Sequence, residues 1–337
     1  MVERSRNPTI IDVANRAGVS KSVVSRVFSG RGSVKEETRQ RVLSAAEEIG
    51  YVVNAVARAM VAHRTYTLGA FVRDASTPFY GYLLTAMQER AAFHGYRVVT
   101  ATGSGRFAVA DERRALEGLM MLQVEALIVG SGALPAAQIV PFAERLPTVV
   151  AGRPETHESI TSVFCDEEEG GAALADHLVE LGHRHVAVIK VLASDSITMA
   201  PRTAAMVKRL RQRGARVLEI DGPLRDAAGR WATEILRHPE ITAVMAPSDR
   251  HAVALMEQLH LRNVAVPGDL SVTGYDGIGD LTTSLIGLTH WRQPIDLIGS
   301  RAVDALVRLL DGETPPDHHQ AVSGSLVAGR TTAPPAR

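Results

Sequence analysis

With 337 residues the chain is too long for one ordinary domain, and at 45% hydrophobic residues it has the material for a sizeable core. Lys plus Arg and Asp plus Glu both number 37, so the total charge is zero and taken whole asks for no polyanionic partner. The single cysteine, Cys165, excludes an internal disulfide and a cysteine-built metal site, and the absence of an apolar leader or a long apolar run argues against export or membrane insertion, so a cytoplasmic protein is expected.

The charge is unevenly spread. Residues 1–64 hold 11 Lys/Arg against 6 Asp/Glu, a net +5, which leaves −5 on residues 65–337. A cationic front module on an acidic body suits a phosphate-binding head; a solvated basic face is the alternative. The stretch TIIDVANRAGVSKSVVSRVFSG, residues 9–30, carries two short apolar patterns broken abruptly at Gly18. Thr9 and Asp12 are spaced for a capping box, with Val13, Ala14 and Ala17 on one side of a first helix. Ser20 can cap a second helix that turns Val23, Val24, Val27 and Phe28 inward and leaves Lys21, Ser22, Ser25 and Arg26 outside. A third helix is expected from a Ser33 cap with Glu36 as its box partner, its apolar positions being Val42, Ala45, Ala46 and Ile49. Two short helices joined by a tight glycine turn are a helix-turn-helix, whose second helix can enter the DNA major groove.

This stretch, followed by TRQRVLSAAEEIGYVVNAVARAM, resembles the headpiece of the lactose-repressor and galactose-repressor family of bacterial regulators, without gaps for about 50 residues. The resemblance implies a headpiece over 1–53, with Lys21, Ser22 and Arg26 at base-reading positions and Ser20, Ser25 and Ser29 on phosphates. It also implies a hinge over 54–66 that becomes helical when two copies meet on DNA, with Met60 where the family wedges a leucine into the minor groove. The chain departs from the family pattern at Lys35, where Ser usually starts the third helix, and at Val53, where Pro is common.

From Thr67 the pattern alternates strand and helix: TLGAFV, a helix through Phe93, YRVVT, a helix near 111–121, VEALIVGS and PTVVAGR. A second set follows, from SVFCD through HVAVIKV, RVLEID and ITAVMAPSD to LSVTGYD. Two successive half-sheets suggest two Rossmann-like lobes with a ligand cleft at the carboxyl ends of their strands. The whole is thus expected to be an α headpiece on an α/β body. The body too resembles that family, whose effector domain is related to the periplasmic sugar-binding fold, through VRDASTPFY, AVPGDLSVTGYD and GLTHWRQP. The resemblance implies a body over 67–332, with lobe 1 at about 67–164 and 293–322 and lobe 2 at about 165–292 and 323–332.

Strand ends supply the cleft candidates: Asp74 and Phe79 from the first lobe, and Arg202, Ser248 and Asp276 from the second. Asp276 can accept from neighbouring hydroxyls, Arg202 can donate a fork and Phe79 can cover the apolar face of a ring, a polyol-like set. Each also has a structural reading: a turn cap for Asp276, an acidic partner for Arg202, lobe packing for Phe79. Arg202 and Asp276 match the family's effector contacts, whereas Ser248 and Thr77 stand where it usually has Asn, and Leu224 where many members stack an aromatic. Trp291, two residues before Gln293 on an extended crossover, is a candidate replacement platform or else a core residue.

Catalytic and cofactor motifs are missing. TGSGR at 102–106 lacks the third glycine of a dinucleotide fingerprint, and there is no P-loop, nucleophile elbow or zinc-protease motif. His183, His185, His318 and His319 read as surface residues without further metal ligands. The expectation is a cofactor-free, non-enzymatic homodimeric regulator, most often a repressor, that binds a near-palindromic duplex under control of a small effector, by default a sugar. Alternatives are a non-sugar effector or a corepressor in the same architecture, an architectural DNA binder without effector, an enzyme with a fused DNA-binding head, and a transport binding protein. The terminal VAGRTTAPPAR has no apolar heptads, which favours a dimer over a coiled-coil tetramer.

Overall fold

The computed structural model of the chain describes residues 8–29, 33–51, 64–103, 109–130, 134–155, 157–221 and 227–336. Two compact units emerge, Met1–Tyr66 and Thr67–Arg337. In the first, α1 (Ile10–Ala17) opens on a reciprocal cap: the Thr9 amide donates to Asp12 Oδ2 at 2.7 Å, and the Asp12 amide to Thr9 Oγ1 at 3.4 Å. It closes at Gly18, whose φ of 64° is the left-handed conformation only glycine adopts without strain. The second helix, α2 (Lys21–Ser29), and the third, α3 (Glu36–Glu48), complete a small core of Val13, Ala17, Val24, Val27, Val42 and Ala45. Arg16 Nε donates to Glu48 Oε2 at 2.7 Å, tying α1 to α3, and the Phe28 and Tyr51 rings meet at 5.6 Å.

One expected cap is corrected. The residue before α3 is Lys35, with no side-chain cap, so Ser33 does not start this helix. Glu36 and Glu37 in its first turn set negative charge against the free amides instead.

The body begins with β1 (Thr67–Val72), α4 (Pro78–Phe93), β2 (Arg97–Thr102), α5 (Val109–Met121), β3 (Ala126–Gly130), α6 (Ala136–Ala143), β4 (Thr148–Ala151) and β5 (Thr161–Cys165). There follow α7 (Glu167–Glu180), β6 (His185–Ile189), α8 (Met199–Gln212), β7 (Arg216–Ile220), α9 (Ala228–Leu236), β8 (Ala243–Met245), α10 (Asp249–His260) and β9 (Ser271–Asp276). The chain ends through a 3-10 turn (Gly279–Thr282), β10 (Thr289–Arg292), α11 (Ile295–Leu310), β11 (His319–Val322) and β12 (Ser325–Val327). Among the described residues two six-stranded sheets result, ordered β11-β5-β4-β3-β1-β2 and β12-β10-β9-β8-β6-β7. Every pairing is parallel except β10 with β12.

Strands β1, β3 and β4 are buried along their whole length, as sheets covered by helices on both faces require. Phe71, Leu116, Leu127 and Phe142 anchor one lobe core; Trp231, Ile235, Leu255 and Val272 anchor the other. The chain passes between the sheets after β5, after β10 and after β11. Cys165, at the first passage, is 1% exposed, and burial pushes its thiol up to about 12, so it is an inert core residue.

The histidines differ from expectation. His183 is buried, its ring nitrogens meeting Thr242 Oγ1 at 2.8 Å and the Ala333 carbonyl at 3.0 Å. His319 begins β11 beside β5, with Nδ1 at 3.1 Å from Ser162 Oγ. Both pack the C-terminal segment onto the sheets. Among the described residues no helix is long and apolar enough to cross a membrane, and no cluster of His, Cys, Asp and Glu could hold a metal ion.

Gly170 on α7 sits where the passages converge: a Cβ there would lie 2.7 Å from Trp291 Cδ1 and collide with the Tyr275 hydroxyl. Gly170→Ala is expected to destabilise the body by about 1–3 kcal/mol through overpacking, read from the midpoint of urea unfolding.

Candidate functional site

Helix α2 buries Val24 and Val27 and leaves Lys21, Ser22 and Arg26 exposed on its opposite face, with Ser25 half-buried. Ser20 is exposed at the N-terminus, where its Oγ lies 2.8 Å from Ser22 Oγ and receives the Val23 amide at 3.4 Å. Arg26 Nε reaches back to the Ser22 carbonyl at 3.3 Å. Of the expected DNA-contact residues, Ser20, Lys21, Ser22 and Arg26 are thus exposed to solvent and Ser25 is partly so. The Ser29 side chain and Met60 lie outside the described residues, as does Leu224.

The second site is a cleft of about 910 Å³ in the body, between the strand ends of the two sheets. Asp74, Phe79, Arg202, Ser248 and Asp276 all line it. Its floor is a buried ionic cluster. Arg202, from α8 and only 1% exposed, donates through Nε to Glu167 Oε2 at 2.7 Å and through Nη2 to Glu167 Oε1 at 2.9 Å. Its Nη1 serves the Pro247 carbonyl at 2.7 Å and Asp276 Oδ1 at 3.2 Å, while the guanidinium carbon sits 3.6 Å from the Tyr275 ring centroid. Burial opposes the Arg202 charge, but the Glu167 carboxylate outweighs it and holds the guanidinium protonated more firmly than usual. Arg202 thus has the acidic partner of its structural reading and also borders the cleft.

Asp276 ends β9 with φ of 116°, a strained geometry for a non-glycine residue, and its Oδ1 also accepts from Gln293 Nε2 at 2.8 Å. Next to it lies Asp249, the first residue of α10, 1% exposed, with Oδ2 accepting the Gly277 amide at 2.7 Å and Oδ1 without a hydrogen-bond partner among the described residues. Burial raises both carboxyls. Asp249 rises further, because the neighbouring Asp276 charge adds to its burial while Arg202 and Gln293 donate to Asp276.

Across the cleft, Asp74 accepts from the Ser76 amide at 2.9 Å, from Ser76 Oγ at 2.6 Å and from Thr77 Oγ1 at 3.0 Å. Burial works to raise its carboxyl; the Ser76 and Thr77 bonds outweigh that and hold it below the ordinary range. Asp74 therefore braces the loop leading into α4, where half-buried Phe79 stands edge-on to Tyr80 at 5.3 Å. On the far wall, Ser248 caps α10, its Oγ receiving the His251 amide at 3.4 Å and lying 2.7 Å from His251 Nδ1.

Of the two readings of Trp291, platform or core residue, the core one describes its place. It is 4% exposed, does not line the cleft among the described residues, and packs its indole between Gly170 and Gly324 at the lobe passages. The strand alternation that put it on the same face as Gln293 stops at Arg292, where β10 ends and the chain turns through Pro294 into α11. Gln293 alone reaches the cleft. Glu167, Asp249, Trp231 and His251 were not singled out in the sequence. Glu167 and Asp249 carried a weak signal as acidic residues in helix first turns after strands.

Two outcomes follow from the floor. Arg202→Ala leaves Glu167 buried without its cation and is expected to destabilise the body by about 3–5 kcal/mol in urea unfolding. Asp249 binds a proton more tightly folded than unfolded, so its stabilisation is complete below the unfolded carboxylate range and fades as pH rises through the raised folded value. Asp249→Asn should flatten that slope, its advantage over the parent growing between about pH 4 and about pH 8 and holding above that, measured by unfolding midpoints.

Comparison with known proteins fits this geometry. Residues 9–54 match the family described as bacterial regulatory proteins, lacI family, and residues 175–332 match a periplasmic binding protein-like domain. The chain is 31% identical to the HTH-type transcriptional regulator AscG of Escherichia coli (strain K12), over 98% of this chain and 99% of that one. Its fold aligns with the lac repressor dimer bound to operator and the anti-inducer ONPF at a TM-score of 0.85 and 26% identity, covering 97% of this chain and 100% of that one. A transcriptional regulator CelR–cellobiose complex aligns at 0.67 and 27%, over 96% of this chain and all of that one. With a DNA-reading head, a two-lobed effector-binding body and no enzyme among these relatives, the chain belongs to the LacI family of DNA-binding transcriptional regulators.

Proposed function

We propose that this regulator is a cytoplasmic homodimer that represses transcription from a near-palindromic operator, and that a sugar or sugar derivative held between the body lobes sets its operator affinity. The division behind this reading is a head over 1–53, a hinge over 54–66 and a body over 67–332. The observation that carries it is the cleft floor: Asp276 beside Arg202, with Phe79 on the opposite wall, offers acceptors to vicinal hydroxyls and an aromatic cover to a ring. The CelR complex with cellobiose and the lac repressor dimer on operator support the ligand class and the assembly. A dimer with twofold symmetry demands a matching operator symmetry.

In the head, Lys21, Ser22 and Arg26 read base edges, while Ser20, Ser25 and Ser29 hold phosphates; Met60 of each copy wedges the minor groove. In the body, Arg202 and Asp276 bind hydroxyls, Phe79 stacks, Asp74 holds the loop that presents Phe79, and Ser248 organises the wall opposite. The effector acts only to the extent that it binds two lobe arrangements unequally.

Operator variants selected with the purified full chain test the head. Arg26→Ala should lose about 1–3 kcal/mol of preference at one base pair, whereas Lys21→Ala should mostly weaken binding, with a smaller loss of preference at its own base pair, at fixed salt. Unchanged rankings for both contradict the assignment. Met60→Gly should reduce DNA bending in a gel phasing assay, and equal bending removes the wedge.

A further inference from the structure

His251 occupies the cleft wall one helical turn beyond Ser248, and the two side chains form a unit that the sequence did not announce. Ser248 is 3% exposed, and its partners are both on His251: the backbone amide at 3.4 Å and ring Nδ1 at 2.7 Å. A hydroxyl has one proton and two lone pairs, and the cap commits a lone pair to the amide. If the ring donated from Nδ1, the second lone pair would be filled and the Ser248 proton would be buried with no acceptor among the described residues, at the cost of an unmade hydrogen bond. The hydroxyl therefore donates to Nδ1. That leaves the ring proton on Nε2, which has no protein partner among the described residues and belongs to a residue lining the cleft.

The ring is also held in charge and in plane. Burial first, then the positive charges of Arg250 and Arg202, hold its pKa down to about 4, so it stays neutral in the cell's pH range. Trp231, 3% exposed and fixed in the lobe core, meets the ring at 5.7 Å and 63°.

We infer that His251 is a specificity-determining contact of the effector site, donating from Nε2–H to an acceptor oxygen of the ligand, and that Ser248 is the positioning residue that fixes this tautomer. The inference rests on the effector reading of the cleft. It deepens that reading by stating what the ligand must present: hydroxyl donors toward Asp276 and, on the α10 side, an ether, glycosidic or carbonyl oxygen. Where the resemblance gives position 248 an Asn, the shorter Ser248 is withdrawn into the cap, and the contact moves three residues along the helix.

The tautomer is read without any ligand, from two-bond proton–nitrogen correlations of the full chain labelled with 15N-histidine, His251 being assigned by its loss in His251→Phe. The Nε2–H pattern is expected near neutral pH, disturbed in Ser248→Ala and restored in Ser248→Thr, which keeps a capping hydroxyl. An Nδ1–H pattern, a charged ring, or an unaltered pattern in Ser248→Ala overturns the inference. The contact itself is read from thermal shifts with D-galactose and cellobiose as probes. His251→Phe should raise the apparent Kd of a stabilising probe roughly 5- to 10-fold, the value of one hydrogen bond, with each variant's shift taken from its own ligand-free melting temperature. Equal stabilisation of parent and His251→Phe overturns the contact alone. A parent chain stabilised by neither probe removes the sugar-effector reading and the contact together.

Discussion

A charge that cannot leave water without partners organises this body. Arg202 is buried at the base of the cleft, and its guanidinium is tolerable there only because Glu167, the Pro247 carbonyl and Asp276 take its protons. Those partners come from places the chain must bring together. Glu167 starts the helix that follows the first passage between lobes, Pro247 follows β8, and Asp276 ends β9 and hydrogen-bonds Gln293 at the second passage. The ionic cluster thereby joins the ligand floor to the segments that connect the lobes. A ligand hydroxyl that engages Asp276 acts on a group already shared with Arg202 and Gln293, and through Gln293 on the passage into α11.

The acidic side of that floor explains its chemistry. Asp249 and Asp276 lie close together around the strained turn at Asp276–Gly277, and Arg202 is largely spent on Glu167. A floor of this kind favours ligands that bring donors and disfavours an anionic group placed against it. The opposite requirement holds at His251, where a neutral ring presents a proton. Together they select a ligand by its pattern of donors and acceptors more than by its size, since missing hydrogen bonds in a closed site cost more than small gaps.

The head was largely legible in the sequence because its signals are local. The capping box at Thr9 and Asp12, the left-handed Gly18 and the apolar spacing of Val24, Val27 and Val42 all act within a few residues or along one helix face. Ser33 failed for a local reason too: the chain enters α3 at Lys35, too late for that hydroxyl to reach the free amides. In the body, the alternation of strands and helices announced the sheets, and strand ends pointed to Asp74, Ser248 and Asp276, whereas Phe79 and Arg202 come from the first turns of helices that follow strands. What the sequence hid was long-range. Glu167 and Arg202 are separated by 35 residues, and the burial of Asp249, His251 and Trp291 depends on neighbours from other elements. Of the two readings of Trp291 the core one describes its place, since the alternation that would have aligned it with Gln293 ends with its strand at Arg292.

The central claim is thermodynamic coupling between the cleft and the head's grip on DNA. Linkage makes that coupling reciprocal, so a ligand that changes operator affinity by some factor must have its own affinity changed by the same factor when operator is bound. The direct measurement is the Kd of a stabilising sugar, by calorimetry at fixed salt, on the full chain alone and saturated with its selected operator duplex, alongside operator Kd with and without that sugar. The account predicts equal factors well away from one in the two arms. Sugar affinity indifferent to bound operator, with operator affinity unmoved at saturating sugar, contradicts it.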